Sequence, residues 1–311
     1  MSLDTRKFIN QQIDEIRKKV GSGTALCATS GGVDSMVCTF LAHQALGKNL
    51  IALFIDDGLM RENEAQTVAR TLRKRGIRTI VVKAANDFFR ALKGKKDPED
   101  MRKAFRHQFY KTLGKAVKKY KADYLIQGTI AADIKETKGK IKTQHNVLTQ
   151  IGVSPKKYGL SILEPLVMLY KPEVRKVGKA LGLPKTIYQR MPFPGPGLAT
   201  RIIGEVTPHR VRIVRTATTI VEKELRKLRP FQAFSVLMND RATGIKKGKR
   251  AFGNIIVIRS VESKDALTAK PTRVPFEILQ KTQKQILRKI PEVTKVLYDL
   301  TPKPPSTIEY I

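Results

Sequence analysis

Apolar residues change their period several times along the chain, and each change marks an element. From Thr5 to Val20, the residues Phe8, Ile9, Ile13, Ile16 and Val20 fall at helical spacing, and Gly21 stops the run. Ala25 to Ala28 is a short unbroken apolar run that predicts a buried strand, and Val33 to Leu46 returns to helical spacing. Leu50 to Ile55 reads as a second strand, Glu62 to Arg75 as a helix, Ile77 to Val82 as a strand and Asn86 to Leu92 as a helix. Asp97-Pro98-Glu99 opens a long basic helix to about Lys121, and Asp123 to Ile126 follows as a strand. This alternation predicts an α/β fold with a doubly wound, mostly parallel sheet.

The pattern changes after that strand. Asp133 to His145 is lysine-rich, contains glycine and has no clear period, so it reads as a mobile loop of the kind that closes over phosphates. Lys171 to Leu181 carries Val174, Val177 and Leu181 on one helical face and is ended by Gly182 and Pro184. Met191-Pro192-Phe193-Pro194-Gly195-Pro196-Gly197-Leu198 is too rich in Pro and Gly for helix or central strand. It divides the chain into an expected first domain at 1–191, a linker at 192–200 and a second domain at 201–311. In the second, Thr207-Pro208 starts a helix with Val211, Val214, Thr218, Val221, Leu225 and Leu228 on one stripe. Phe231 to Met238 and Asn254 to Arg259 read as strands around a basic turn, Phe276 to Ile290 as a helix and Val293 to Leu300 as a strand. A smaller α+β domain follows, whose sheet has a face to cover and so suggests a homodimer.

Composition narrows the class. At 311 residues and 41% hydrophobic content, the chain is large enough for two packed cores. No apolar run reaches transmembrane length and Met1 to Asn10 lacks a signal-peptide core, so a soluble cytoplasmic protein without membrane contact is expected. Cys27 and Cys38 sit on apolar-patterned positions and read as buried thiols. The formal net charge is +33, from 60 Lys and Arg against 27 Asp and Glu, dense at Lys93–Lys121 and Arg241–Arg250. Such an excess favours nonspecific nucleic-acid affinity or an acidic partner, but its spread argues for a general surface property.

The candidate chemistry lies at Ser30-Gly31-Gly32-Val33-Asp34-Ser35, between the first strand and its helix. Glycines let backbone approach an anion, Ser30 and Ser35 add hydroxyls, and the helix start supplies unpaired N–H groups and a positive dipole end. The spacing differs from the P-loop, which requires Gly-x4-Gly-Lys-Ser/Thr. Asp34 inside an anion site implies a divalent cation, Mg2+, between it and phosphate oxygens. Backbone at Phe54 and Ile55, at the end of the second strand, is placed for a base edge. The acids Asp56 and Asp57 beyond it suit either ribose and metal or a polar turn. Gly128, with Thr129 beside it, would let backbone approach ribose or phosphate.

These stretches carry a resemblance. Ser30 to Ser35 resembles the pyrophosphate loop of N-type ATP pyrophosphatases, of adenine nucleotide alpha hydrolase-like fold, which cut ATP between α and β phosphates. Further stretches are similar to the synthetase part of GMP synthases made as a separate chain, the archaeal two-subunit type. They are Phe54 to Arg61, Gln127 to Ile130, Gly139 to Val147, Glu173 to Lys176, Pro192 to Leu198 and Lys303-Pro304-Pro305-Ser306-Thr307-Ile308-Glu309-Tyr310. The resemblance implies adenylation of XMP by ATP with pyrophosphate release, then amination by ammonia to give GMP and AMP. It implies that Ser30, Gly31, Gly32, Val33, Asp34 and Ser35 hold ATP phosphates, that Asp34 and Asp133 hold metal, and that Lys142 is catalytic in the lid. It also implies XMP binding by Pro194, Gly195, Gln232, Lys303, Ile308 and Glu309, with Gln232 resting on a Gln-Ala-Phe match. The chain departs from the family pattern at Arg102 to Phe109, where Phe105-Arg106 replaces an Ile-Gly pair, at Gln144-His145 and the residues after it, and at Ala132-Asp133. A cysteine-type glutaminase needs its own domain, so a separate glutaminase subunit is expected to supply ammonia. Two other readings remain: a pyrophosphatase-loop enzyme acting on tRNA or another nucleotide, and a non-catalytic ATP- or RNA-binding relative.

Overall fold

A computed structural model of the chain describes residues 3–138, 160–264 and 266–311. In order, the first part holds α1 (Thr5–Val20), β1 (Ala25–Ala28), α2 (Val33–Leu46), β2 (Leu50–Asp56), α3 (Glu64–Arg73) and β3 (Thr79–Lys83). Then come α4 (Ala85–Leu92), α5 (Pro98–Tyr120), β4 (Tyr124–Ile126), α6 (Ala131–Lys138), β5 (Ser161–Leu163), α7 (Lys171–Ala180) and α8 (Lys185–Tyr188). The last part holds α9 (Pro208–Leu225), β6 (Gln232–Lys246), β7 (Lys249–Glu262), β8 (Lys270–Pro271), α10 (Phe276–Lys289) and β9 (Val293–Tyr298).

Two compact units result. The first comprises Met1–Asp56, Asn63–Ala84 and His107–Arg190. Its five strands are all parallel in the order β3-β2-β1-β4-β5, as the α/β alternation predicts. Strand β1 is buried except at Ala28 and β2 except at Asp56, which is why they read as unbroken apolar runs. Helix α2 is buried at ten of fourteen positions and forms the middle of this core.

The second unit comprises Asp57–Glu62, Ala85–Arg106 and Met191–Ile311. Strands β6, β7 and β8 pair antiparallel, and β9 runs parallel to β7. The α9 stripe of Val211, Val214, Val221 and Leu225 packs with Leu237, Ile256, Ile258 and Ile286 in one core. Phe234, Val236, Val257 and Val261 form a second core, into which Ile308 of the carboxyl-terminal tail is set.

The structure corrects three expectations. The stretch between Met238 and Asn254 is not a basic turn but a continuation of the β6–β7 ladder, pairing Arg241 with Asn254 out to Lys246 with Lys249. Beyond Met238 its residues are mostly exposed or half-buried, so no apolar alternation announces a strand. Of the loop expected over Asp133 to His145, the part up to Lys138 is helix, within Ala131–Lys138, and 139–145 lie outside the described residues. Asp133 Oδ2 accepts the Ile130 N–H at 3.0 Å, a local cap of the first turn that needs no apolar periodicity. Strand β5, which no sequence period marks, is three residues long with only Leu163 buried.

Candidate active site

Strands β2 and β3 extend to one side of β1, whereas β4 and β5 extend to the other. The carboxyl ends of β1 and β4 therefore form the point where strand order reverses, and ligands of open parallel sheets bind there. The two loops at that point are 29–32, after β1, and 127–130, after β4.

The first loop is tied at both ends. The Thr29 N–H donates to Leu53 O at 2.9 Å, and the Ser30 N–H to Ser35 Oγ at 3.1 Å. Ser35 Oγ donates to Gly32 O at 3.0 Å and lies 3.2 Å from Ser30 Oγ. Gly32 caps α2, whose first N–H groups, at Val33, Asp34 and Ser35, lack intrahelical acceptors and face the dipole's positive end. Gly31 has φ of +80°, and a Cβ there would lie 2.6 Å from Val68 Cγ2 and 2.7 Å from Glu64 Oε1. A Cβ on Gly128 would lie 2.9 Å from Asp34 C and Ser35 N, so the β4 loop runs against the start of α2. Phe54 and Ile55 lie buried in β2, Val33 is buried at the helix start, and Thr129 is 6% exposed with Oγ1 donating to Glu164 Oε1 at 2.5 Å.

Charge is arranged around this loop. Asp34 Oδ2 pairs with Lys171 Nζ, while Asp34 Oδ1 is buried with no hydrogen-bond partner among the described residues. Glu64 and Arg190 form a two-pronged ion pair, and Arg190 Nη1 also donates to Gly31 O at 3.3 Å. Glu64 and Lys171 escaped sequence reasoning because charged residues stand close to each in the chain, and Arg190 because a single arginine beside the Pro/Gly stretch carries no motif. Lys142 lies outside the described residues. Asp133, spent on its helix cap, is half-buried.

Both thiols are buried and free. Burial pushes Cys27 up to about 11, against a smaller pull from its Thr39 hydrogen bond. Cys38 is raised well above its ordinary value by burial first, then by the charges of Cys27, Asp34 and Glu164. In both, burial disfavours the thiolate, which is the nucleophilic form.

The second unit carries the linker and tail residues. Gly195 is exposed with open space where a Cβ would go, and Pro194 is half-buried. Gly197 has φ of +62°; a Cβ there would lie 2.4 Å from Leu59 O, and the Leu198 N–H donates to that oxygen at 2.7 Å. Glu309 accepts from Arg201 Nε at 3.0 Å and Nη2 at 2.9 Å, and from Gln232 Nε2. The wholly buried Arg201 guanidinium lies 4.9 Å from the Phe193 ring centre and 4.1 Å from that of Phe234. Lys303 Nζ donates to Ala266 O at 2.8 Å. The tail is held further by buried Arg259, which donates to Thr301 O and Thr307 O and pairs with Asp299 at 3.0 Å. Asp299 stays ionised below its usual range: burial opposes this, but the Thr301 backbone and hydroxyl, the Tyr310 hydroxyl and Arg259 outweigh it. Arg201 and Arg259 were legible in principle, each a lone cation inside an apolar run, Leu198–Ile203 and Ile255–Val261.

A glycine-rich loop at the switch point of a parallel sheet, with an acid at its helix start, defines a phosphate-binding α/β protein. Residues 5–184 match the PP-loop domain family and residues 219–310 the GMP synthase C terminal domain family. A GMP synthase (glutamine-hydrolyzing) subunit of Archaeoglobus fulgidus is 48% identical over 309 residues, 99% of this chain and 100% of that relative. The Pyrococcus furiosus protein of the same name is 50% identical over 98% of this chain and 97% of its own length. That of Methanopyrus kandleri is 45% identical over 99% of each. The chain belongs to the family of these GMP synthase (glutamine-hydrolyzing) subunits.

Proposed function

We propose that the chain is the C–N ligase that converts XMP to GMP at the expense of ATP, with the loop after β1 holding the pyrophosphate moiety. Family membership supports the reaction, and the observation that carries the site is the loop at the switch point with one oxygen of Asp34 left unpartnered. The xanthine O2 attacks the α phosphorus of ATP, pyrophosphate leaves, and O2 becomes part of a phosphate ester. Ammonia then adds at C2 and AMP departs with that oxygen. A poor leaving oxygen becomes a good one, and the N–H groups of α2, with Ser30 and Ser35, stabilise charge building on pyrophosphate.

Mg2+ fits the free Asp34 Oδ1, since this ion commonly takes one or two carboxylates plus substrate phosphates. When bound, it would neutralise phosphate charge and orient the leaving group. Asp34 would hold it, with Asp133 as a second candidate, and Lys171 balances the other Asp34 oxygen. Backbone at Phe54, Ile55 and Gly128, with Thr129, receives the adenosine half. Lys142 is assigned to the reacting phosphate by its motif alone. For XMP, Pro194, Gly195 and Lys303 are the candidates with polar or open approach. Gln232, Ile308 and Glu309 act through the tail they lock in place.

Ammonia comes from a separate glutaminase subunit, a reading supported by the burial of both cysteines, Cys27 and Cys38, as free thiols. A homodimer, cytoplasmic residence, some nonspecific polyanion affinity and a functional division at 1–191, 192–200 and 201–311 complete the reading. No described helix is long and apolar enough to cross a membrane. The test is pyrophosphate release with ATP, Mg2+ and ammonium, with and without XMP. The expected result is XMP-dependent release with GMP and AMP, and no GMP when glutamine replaces ammonium. Release indifferent to XMP would refute the reading.

A further inference from the structure

Arg190 is the last residue of the first unit before the Pro/Gly stretch. Its guanidinium meets Glu64 with two parallel hydrogen bonds and reaches the Gly31 carbonyl with a third. The Glu64 side chain is only 7% exposed, so its charge requires a cation, and the two-pronged geometry fixes that cation in plane and direction. Glu64 is itself fixed as the first residue of α3. The peptide between Gly31 and Gly32 is planar and trans, so its carbonyl and N–H point opposite ways. Gripping the Gly31 carbonyl therefore aims the Gly32 N–H. That N–H has only a long 3.4 Å contact to Ser30 Oγ within the loop, and it stands at the cap of α2 where the pyrophosphate is assigned. Gly31, at φ of +80° between Val68 and Glu64, has a backbone that would otherwise be the freest in the loop.

We infer that Arg190, oriented by Glu64, is a positioning residue that aims the Gly32 N–H at the pyrophosphate, an inference that rests on the reading of the site given above. Glu64 neutralises Arg190, so the pair acts by geometry rather than by adding charge. This separates it from Lys171, which pairs with Asp34 itself. It also ties the loop's orientation to the residue that immediately precedes the Pro/Gly stretch.

The test is calorimetric titration of the full chain with MgATP, without XMP, for the wild type, Arg190→Lys, Glu64→Gln and the double variant. Lysine keeps the positive charge but cannot hold Glu64 and Gly31 together. Arg190→Lys is expected to weaken MgATP binding by about 10- to 100-fold, the scale of one charge-assisted hydrogen bond. Glu64→Gln weakens it in the same direction, and the double variant is no worse than the poorer single one, because both break the same clamp. The KM for XMP at saturating ATP stays within about twofold of wild type. Unchanged MgATP affinity in the variants would overturn the clamp, as would equal losses for ATP and XMP with a collapse in melting temperature, which mark a merely structural pair. If Arg190→Lys does not fold, the isosteric Glu64→Gln carries the same decision. Failure of the wild type to bind MgATP would overturn the site reading and the clamp together, a result distinct from normal binding by wild type and variants alike.

Discussion

Single atoms decide which glycines the chain needs. Gly31 and Gly197 occupy positive φ and leave no room for a Cβ, against Val68 and Glu64 in one case and Leu59 O in the other. Gly195 meets nothing within 4 Å. Substitution by alanine therefore separates them. Gly197→Ala is expected to lower stability by about 1–3 kcal/mol in urea unfolding, and Gly195→Ala by less than about 0.5 kcal/mol. Gly31→Ala should cost similar stability to Gly197→Ala and, in addition, raise the KM for ATP, because it displaces the loop that holds the phosphates. Equal tolerance at all three positions would contradict the backbone geometry described.

At the scale of elements, β1 and α2 carry the loop between them and bury one thiol each. Cys27 is raised from 9.0 to about 11, so the unfolded chain loses this proton before the folded one does. Its contribution to stability is present below pH 9 and is lost between pH 9 and 11, at up to about 1.4 kcal/mol per pH unit. Thiol labelling at pH 8 is expected to be negligible in the native chain and complete in denaturant, and rapid native labelling would place these cysteines elsewhere. Much of this architecture was legible in the sequence. Four of the five parallel strands and the extent of α2 followed from the apolar pattern, most plainly β1 and β2, whose burial leaves unbroken runs, whereas β5 did not. The distal β6–β7 ribbon was not legible, because a ladder largely open to water needs no alternation. The cap that makes α6 a helix depends on one side chain, Asp133, and not on a period. The loop's residues were readable as an anion site, whereas Glu64, Arg190 and Lys171 meet it only through the fold.

The whole molecule carries +33 against substrates and products that are phosphorylated anions. Such a field raises their local concentration, and its effect falls with salt. The proposed reading takes specificity instead from the loop at the switch point and from the linker and tail, where buried Arg201 pairs with Glu309 and buried Arg259 with Asp299. The central claim is that ATP is cut at its α phosphorus by the xanthine oxygen and that this oxygen leaves on AMP. One measurement addresses it: turnover of XMP labelled with oxygen-18 at O2, with ATP, Mg2+ and ammonium, followed by mass analysis of AMP and pyrophosphate. The account predicts one labelled oxygen in the AMP phosphoryl group and none in pyrophosphate. Unlabelled AMP formed alongside GMP would contradict it.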